Sequence, residues 1–157
     1  MSVPTNVSKQ HPHLYRLAID MASRAEAAGL QAGLSAGLLE LLKIRVSQLN
    51  GCAFCLRQHT HDALAAGEST DRLAVLSAWR ETAYFTEVER AALTLSERVT
   101  DIGSDASHHI TEDTVRPLTD EQVSSVAWLA IALNTFNRIA ITSHYEVAPP
   151  ALEAAAG

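Results

Sequence analysis

The segment Leu49-Asn50-Gly51-Cys52 limits the fold more than any other stretch of the chain. Before it, Leu38, Leu41, Leu42, Val46 and Leu49 recur at helical spacing and define a buried stripe. Asn50-Gly51 is a stop signal, and Gly51 suits a left-handed C-terminal position. Ser35 is a candidate cap for that helix. A new helix is expected from about Cys52 to Gly67. A turn this tight is expected to bring the second helix back antiparallel to the first. The neighbouring stripe, Gly37, Glu40, Ile44 and Ser47, is narrow and mostly small, so another helix can come close to Glu40.

The rest of the chain reads as helix as well. Leu14, Leu17, Ala18, Met21, Ala22, Ala25 and Ala28 form one apolar face, closed by Gly29. A shorter helix is expected over Thr70–Trp79. Thr86-Glu87-Val88-Glu89 is a capping box ahead of a helix over Glu87–Thr100. Thr111–Arg116 reads as one or two helical turns ended by Pro117. A second capping box, Thr119 to Gln122, opens a long helix to about Ser143. That helix is apolar on most sides, which points to a central position or a subunit interface. Residues 1–10, the polar run Gly103–His109 and Ala148–Gly157 read as loose segments.

No alternating strand pattern is present, aromatic residues are only 5% of the chain, and alanine is abundant. The expectation is a single all-α domain over 1–157. Its 47% apolar and 19% charged residues are ordinary for a globular chain. A net charge of −6 argues against a nucleic-acid-binding face. The longest apolar run, Val126–Leu133, is too short to span a membrane. The N-terminus lacks the apolar core of a signal peptide, so a cytoplasmic location is the expectation.

Cys52 and Cys55 are the only cysteines. Three residues apart, they make no disulfide framework, and in a reducing compartment such a pair is catalytic or metal-binding. At about 100° per residue, Cys52, Cys55 and His59 share one helix face. A helix N-terminus, a histidine partner and a C-x-x-C arrangement each lower a thiol pKa, together to roughly 3.5–7.5. Glu40 precedes Gly51 by about 16 Å of helix and His59 follows it by about 12 Å, so the two are nearly level across the hairpin. A carboxylate there would orient the imidazole and raise its basicity. The expected relay runs from Glu40 to His59 to Cys55.

The pattern Glu40-x11-Cys52-x2-Cys55-x3-His59 resembles the signature of the AhpD-like alkylhydroperoxidases in the carboxymuconolactone decarboxylase superfamily. SQLNGCAFCLRQHTHDALAAGES, AWRET, FTEVERAAL and NTFNRIAI resemble its short peroxidase-related members. The resemblance spans roughly Leu14 to Glu146. It implies an all-helical, AhpD-like fold assembled as a trimer or hexamer, with the C-x-x-C at the start of a central helix. It implies reduction of small organic hydroperoxides without haem, flavin or metal. By position, Cys55 resembles the peroxidatic cysteine, Cys52 the resolving one, and His59 and Glu40 the proton relay. An external dithiol, lipoyl-bearing or thioredoxin-like, is the implied reductant. Better-studied members carry a second histidine immediately before the second cysteine, where this chain has Phe54. Asn137 and Arg138 also recur in the resemblance and read as helix-packing or intersubunit residues.

Two other functions compete. One is a disulfide reductase or thiol antioxidant with little peroxide turnover. The other is a non-catalytic helical oligomer whose thiols sense redox state or hold zinc, with His59 and either Glu40 or His61 completing the site. One helix supplies at most three zinc ligands in this spacing, and the usual second pair is missing.

Overall fold

Ser35, Thr86 and Thr119 cap the helix starts that the sequence assigns to them. Ser35 accepts the Leu38 N–H ahead of α3 (Ala36–Asn50). Thr86 and Glu89 form a reciprocal capping box at α6 (Glu87–Thr100), as do Thr119 and Gln122 at α8 (Asp120–Thr142). The remaining helices are α1 (Val7–Gln10), α2 (Pro12–Gln31), α4 (Ala53–Ala65), α5 (Thr70–Val75) and α7 (Glu112–Val115), with a 3-10 segment over Leu76–Glu81. The computed structural model describes residues 5–103 and 110–149, and no strand occurs among them. The fold is all-α, as expected.

Helix α8 is the central packing element. It lies against α2, α3 and α6, while α3 also packs on α4 and α6. Leu39, Leu41, Leu42 and Val46 of α3 meet Leu93 and Leu95 of α6 and Val126 and Leu129 of α8 in one buried cluster. Truncating any one of these leucines to alanine would cost about 2–5 kcal/mol. Gly37 lets the Glu68 carboxylate lie close against α3, and a methyl group there would push that side chain aside. None of the described helices is long and apolar enough to cross a membrane.

Four expectations need correction. Leu49 is 41% exposed, since the last turn of α3 turns its Ser47 and Asn50 side toward α8 instead. Leu14 and Leu17 of α2 are 55% and 66% exposed, so within one chain their apolar face has no cover at that end. The segment over Thr70–Trp79 is not one helix: α5 tightens into the 3-10 segment at Leu76. There the Trp79 indole N–H bonds Glu97 at 2.8 Å, and Arg80 and Arg90 both lie over the Trp79 ring, which pins the chain. Finally, part of the N-terminal segment is ordered. Asn6 caps α1, the Val7 N–H donates to Ser143 Oγ at 3.1 Å, and Ser8 and Tyr145 share a hydroxyl hydrogen bond of 2.7 Å. Positions 104–109 and 150–157, read as a loop and a tail, lie outside the described residues.

Candidate active site

The site is built on the α3–α4 hairpin. Gly51 takes φ 69°, a left-handed conformation that glycine adopts without penalty, and the chain reverses there. The Cys52 N–H donates to the Ser47 carbonyl at 3.0 Å, which ties the start of α4 to the end of α3. Cys52 is the residue that caps α4, and its sulfur accepts the Cys55 N–H at 3.3 Å. Cys55 lies in the first turn and His59 one turn further on the same face. Across the hairpin, Glu40 Oε2 lies 3.0 Å from His59 Nδ1. The level pairing expected from helix rise alone is therefore present.

A lysine completes the arrangement that holds Glu40. Lys43 Nζ donates to Glu40 Oε1 at 2.5 Å and to Glu26 Oε2 of α2 at 2.8 Å. Burial alone would favour the neutral acid at Glu40, but its His59 and Lys43 partners outweigh this and lower its pKa. Burial likewise opposes the Lys43 ammonium, and Glu26 and Glu40 outweigh it and raise its pKa. Glu40 is thus a carboxylate, which accepts from Nδ1–H of His59. That fixes the tautomer, with the ring's lone pair on Nε2. Asp62 Oδ2 lies 3.7 Å from the same Nδ1 and stays partly exposed.

The thiols differ from expectation. Both cysteines are unpaired and buried, in one small cluster with Ala140 of α8. Burial, followed by the neighbouring Cys52 thiol, pushes the Cys55 pKa up to about 12. Burial and the neighbouring Cys52 thiol outweigh the lowering expected from the helix terminus. No hydrogen bond joins Cys55 Sγ directly to the His59 ring among the described residues. The two share the wall of one pocket of about 260 Å³.

That pocket brings in residues that sequence reasoning did not single out. Tyr15, Ile19, Leu133, Phe136 and Tyr145 line it beside Cys55 and His59. Burial, then the neighbouring Tyr145 and Cys55, raises the Tyr15 pKa. Phe54, which stands where better-studied relatives have histidine, packs edge-on against Tyr145 at 5.0 Å. Asn137 is fully buried and bonded to Asn50 and Ser47 of α3. Lys43 had one local signal, a cation set among the apolar residues of α3, three positions from Glu40. Tyr15, Tyr145 and Asn137 join only through the tertiary fold. One group with metal-ligand spacing occurs among the described residues: Glu40, His59 and Asp62, whose donor atoms lie within 4.8 Å of one another. The cysteines are not part of it, and neither is His61, which is exposed.

An all-helical hairpin of this kind, with a C-x-x-C at a helix start and a Glu–His pair facing it, defines a class of dithiol proteins. The family model for the carboxymuconolactone decarboxylase family matches residues 12–98, and the chain belongs to that family. An uncharacterized protein of Bacillus subtilis, YdfG, is 41% identical over 116 residues, covering 71% of this chain and 76% of that protein. The crystal structure of an Agrobacterium tumefaciens protein of unknown function, described as a candidate antioxidant defence protein AhpD, superposes with a TM-score of 0.78. It is 29% identical, over 94% of this chain and 99% of the other. The AhpD-like resemblance read from the sequence is thereby upheld.

Proposed function

We propose that this chain is a thiol peroxidase that reduces organic hydroperoxides and needs no bound cofactor. The observation that carries this reading is the pairing of Glu40 with His59 at 3.0 Å, with the imidazole and the Cys55 thiol opening into the same apolar pocket. His59 Nε2 takes the Cys55 proton, directly or through a water, as the sulfur attacks the distal oxygen of ROOH. The O–O bond breaks, Cys55 becomes a sulfenic acid, and the proton passes to the leaving alkoxide to give ROH. The Cys52 thiol then attacks the sulfenic sulfur, releasing water and leaving the Cys52–Cys55 disulfide. An external dithiol, lipoyl-bearing or thioredoxin-like, restores both thiols by exchange and is itself oxidised. Such a cycle suits a reducing compartment such as the cytoplasm.

A thiol with a pKa near 12 fits general-base activation at the moment of attack better than a standing thiolate. The apolar walls favour an alkyl or aryl hydroperoxide over hydrogen peroxide. The test is peroxide consumption with cumene hydroperoxide, tert-butyl hydroperoxide and hydrogen peroxide across several dithiol donors. Turnover that Cys55→Ser abolishes supports the reading. Dithiol oxidation with disulfide substrates but none with any peroxide would instead support a disulfide reductase. Stoichiometric zinc in protein purified without chelator would support the metal-clip reading.

We further propose that the chain forms a homo-oligomer through α2 and the outer face of α8. Leu17 is 66%, Trp128 52% and Ile131 41% exposed, an unusual concentration of apolar surface. Light scattering that gives the mass of a single chain would overturn this.

A further inference from the structure

Asn137 sits on α8 one turn before Ala140, the residue that packs against both cysteines. Its side chain is fully buried, and its orientation is fixed from two sides. Asn50 Nδ2 donates to Asn137 Oδ1 at 2.8 Å, so the carbonyl end faces the α3 terminus. Asn137 Nδ2 donates to Ser47 Oγ at 3.1 Å. Ser47 in turn donates its hydroxyl proton to the Lys43 carbonyl at 2.8 Å, which leaves its oxygen to accept. A primary amide has two N–H groups, and this accounts for one. Ser47 also holds the Cys52 N–H through its carbonyl, so Asn137 binds the residue that anchors the first cysteine, while Ala140, one turn on, clusters with both cysteines.

We propose that the second amide N–H of Asn137 is a hydrogen-bond donor to the Cys55 sulfur, and that it stabilises the thiolate formed during peroxide attack. A buried thiolate has no water to solvate it, and a preorganised donor takes that part. The amide acts against burial on the acidity of Cys55, as such a donor must. Asn50 is then the positioning residue, since without its N–H the amide of Asn137 can turn its oxygen toward the sulfur and repel the anion.

The inference rests on Cys55 being the reacting thiol, but its test does not use peroxide. The rate of Cys55 alkylation by iodoacetamide is measured from pH 7 to 10 in a Cys52→Ser background, so that one thiol reports. Asn137→Leu keeps the volume and removes the donor. It is expected to slow alkylation about tenfold at each pH in this range, the size of a lost hydrogen bond to a charged group. Asn50→Ala, at a less buried position, is expected to slow it in the same direction and by less. A purely structural role predicts the opposite sign, because looser packing admits water and speeds alkylation. Unchanged or faster alkylation in Asn137→Leu overturns the proposal. Should Asn137→Leu fail to fold, unchanged or faster alkylation in Asn50→Ala overturns it. A peroxide assay on the same proteins separates the readings: slowed alkylation with no turnover in the parent leaves the donor in place and removes the peroxidase.

Discussion

The sulfur of Cys52 accepts the backbone N–H of Cys55 at 3.3 Å, so the first thiol of the pair caps the start of α4 while the second faces the pocket. The two cysteines therefore have separable structural roles. Serine is a stronger cap than cysteine, and alanine is none. Cys52→Ser should be at least as stable as the parent in urea unfolding. Cys52→Ala should lose about 1 kcal/mol relative to Cys52→Ser. In stopped-flow with hydroperoxide, Cys52→Ser should complete one turnover and stall.

Burial keeps Cys55 protonated near neutral pH, with its pKa at about 12. Very little of this thiol is then ionised at pH 7. Alkylation should be slow at pH 7 and rise about tenfold per pH unit through pH 10, since only the thiolate reacts. A plateau near pH 7 would contradict the buried neutral thiol. His59→Gln should lower the rate of Cys55 oxidation by hydroperoxide by about 10²-fold or more, the range of a lost general base.

Lys43 bridges Glu40 and Glu26 from an interior position, with its side chain 8% exposed. Removing one partner of a buried ion pair leaves the other charge uncompensated. Lys43→Met should cost about 3 kcal/mol in chemical unfolding. The double variant Lys43→Met with Glu40→Gln should recover part of that loss, and the cycle gives the coupling. Equal, additive losses would mean that Lys43 acts through packing alone.

Glu40, Glu89 and Glu97 all have lowered pKa values, and in each case burial is outweighed by cationic or N–H partners. Their folded-state pKa values lie below the unfolded ones, so the unfolded chain binds protons first as pH falls. Their contribution is fully present above about pH 5, and it declines as the pH drops through the ordinary carboxylate range toward the lower folded values. Urea midpoints at pH 7, 5, 4 and 3 should be nearly level between the first two and fall steeply after that. Glu40→Gln should flatten part of that fall.

What the sequence made legible was local. Ser35, Gly51, the Thr86–Glu89 box and the Thr119–Gln122 box each act within a turn of themselves, and each appears where expected. The Glu40–His59 pairing was also legible, because a hairpin of two helices with a known rise sets which residues are level. What stayed hidden depends on elements far along the chain. The cover over Cys55 comes from Ala140, so the helix-terminus reasoning lowered a pKa that burial raises. Lys43 needs Glu26 of α2 as well as Glu40 to be stable inside. Leu14 and Leu17 obey helical periodicity, yet periodicity does not say whether the surface they meet belongs to the same molecule.

The hydroxyl contact between Ser8 and Tyr145 ties α1 to the segment after α8 beside the pocket that holds Cys55, since Tyr145 is also a wall of it. A change in α1 is therefore felt at the wall of the pocket that holds Cys55. Under the proposed function, Ser8→Ala belongs among the controls of any rate measurement.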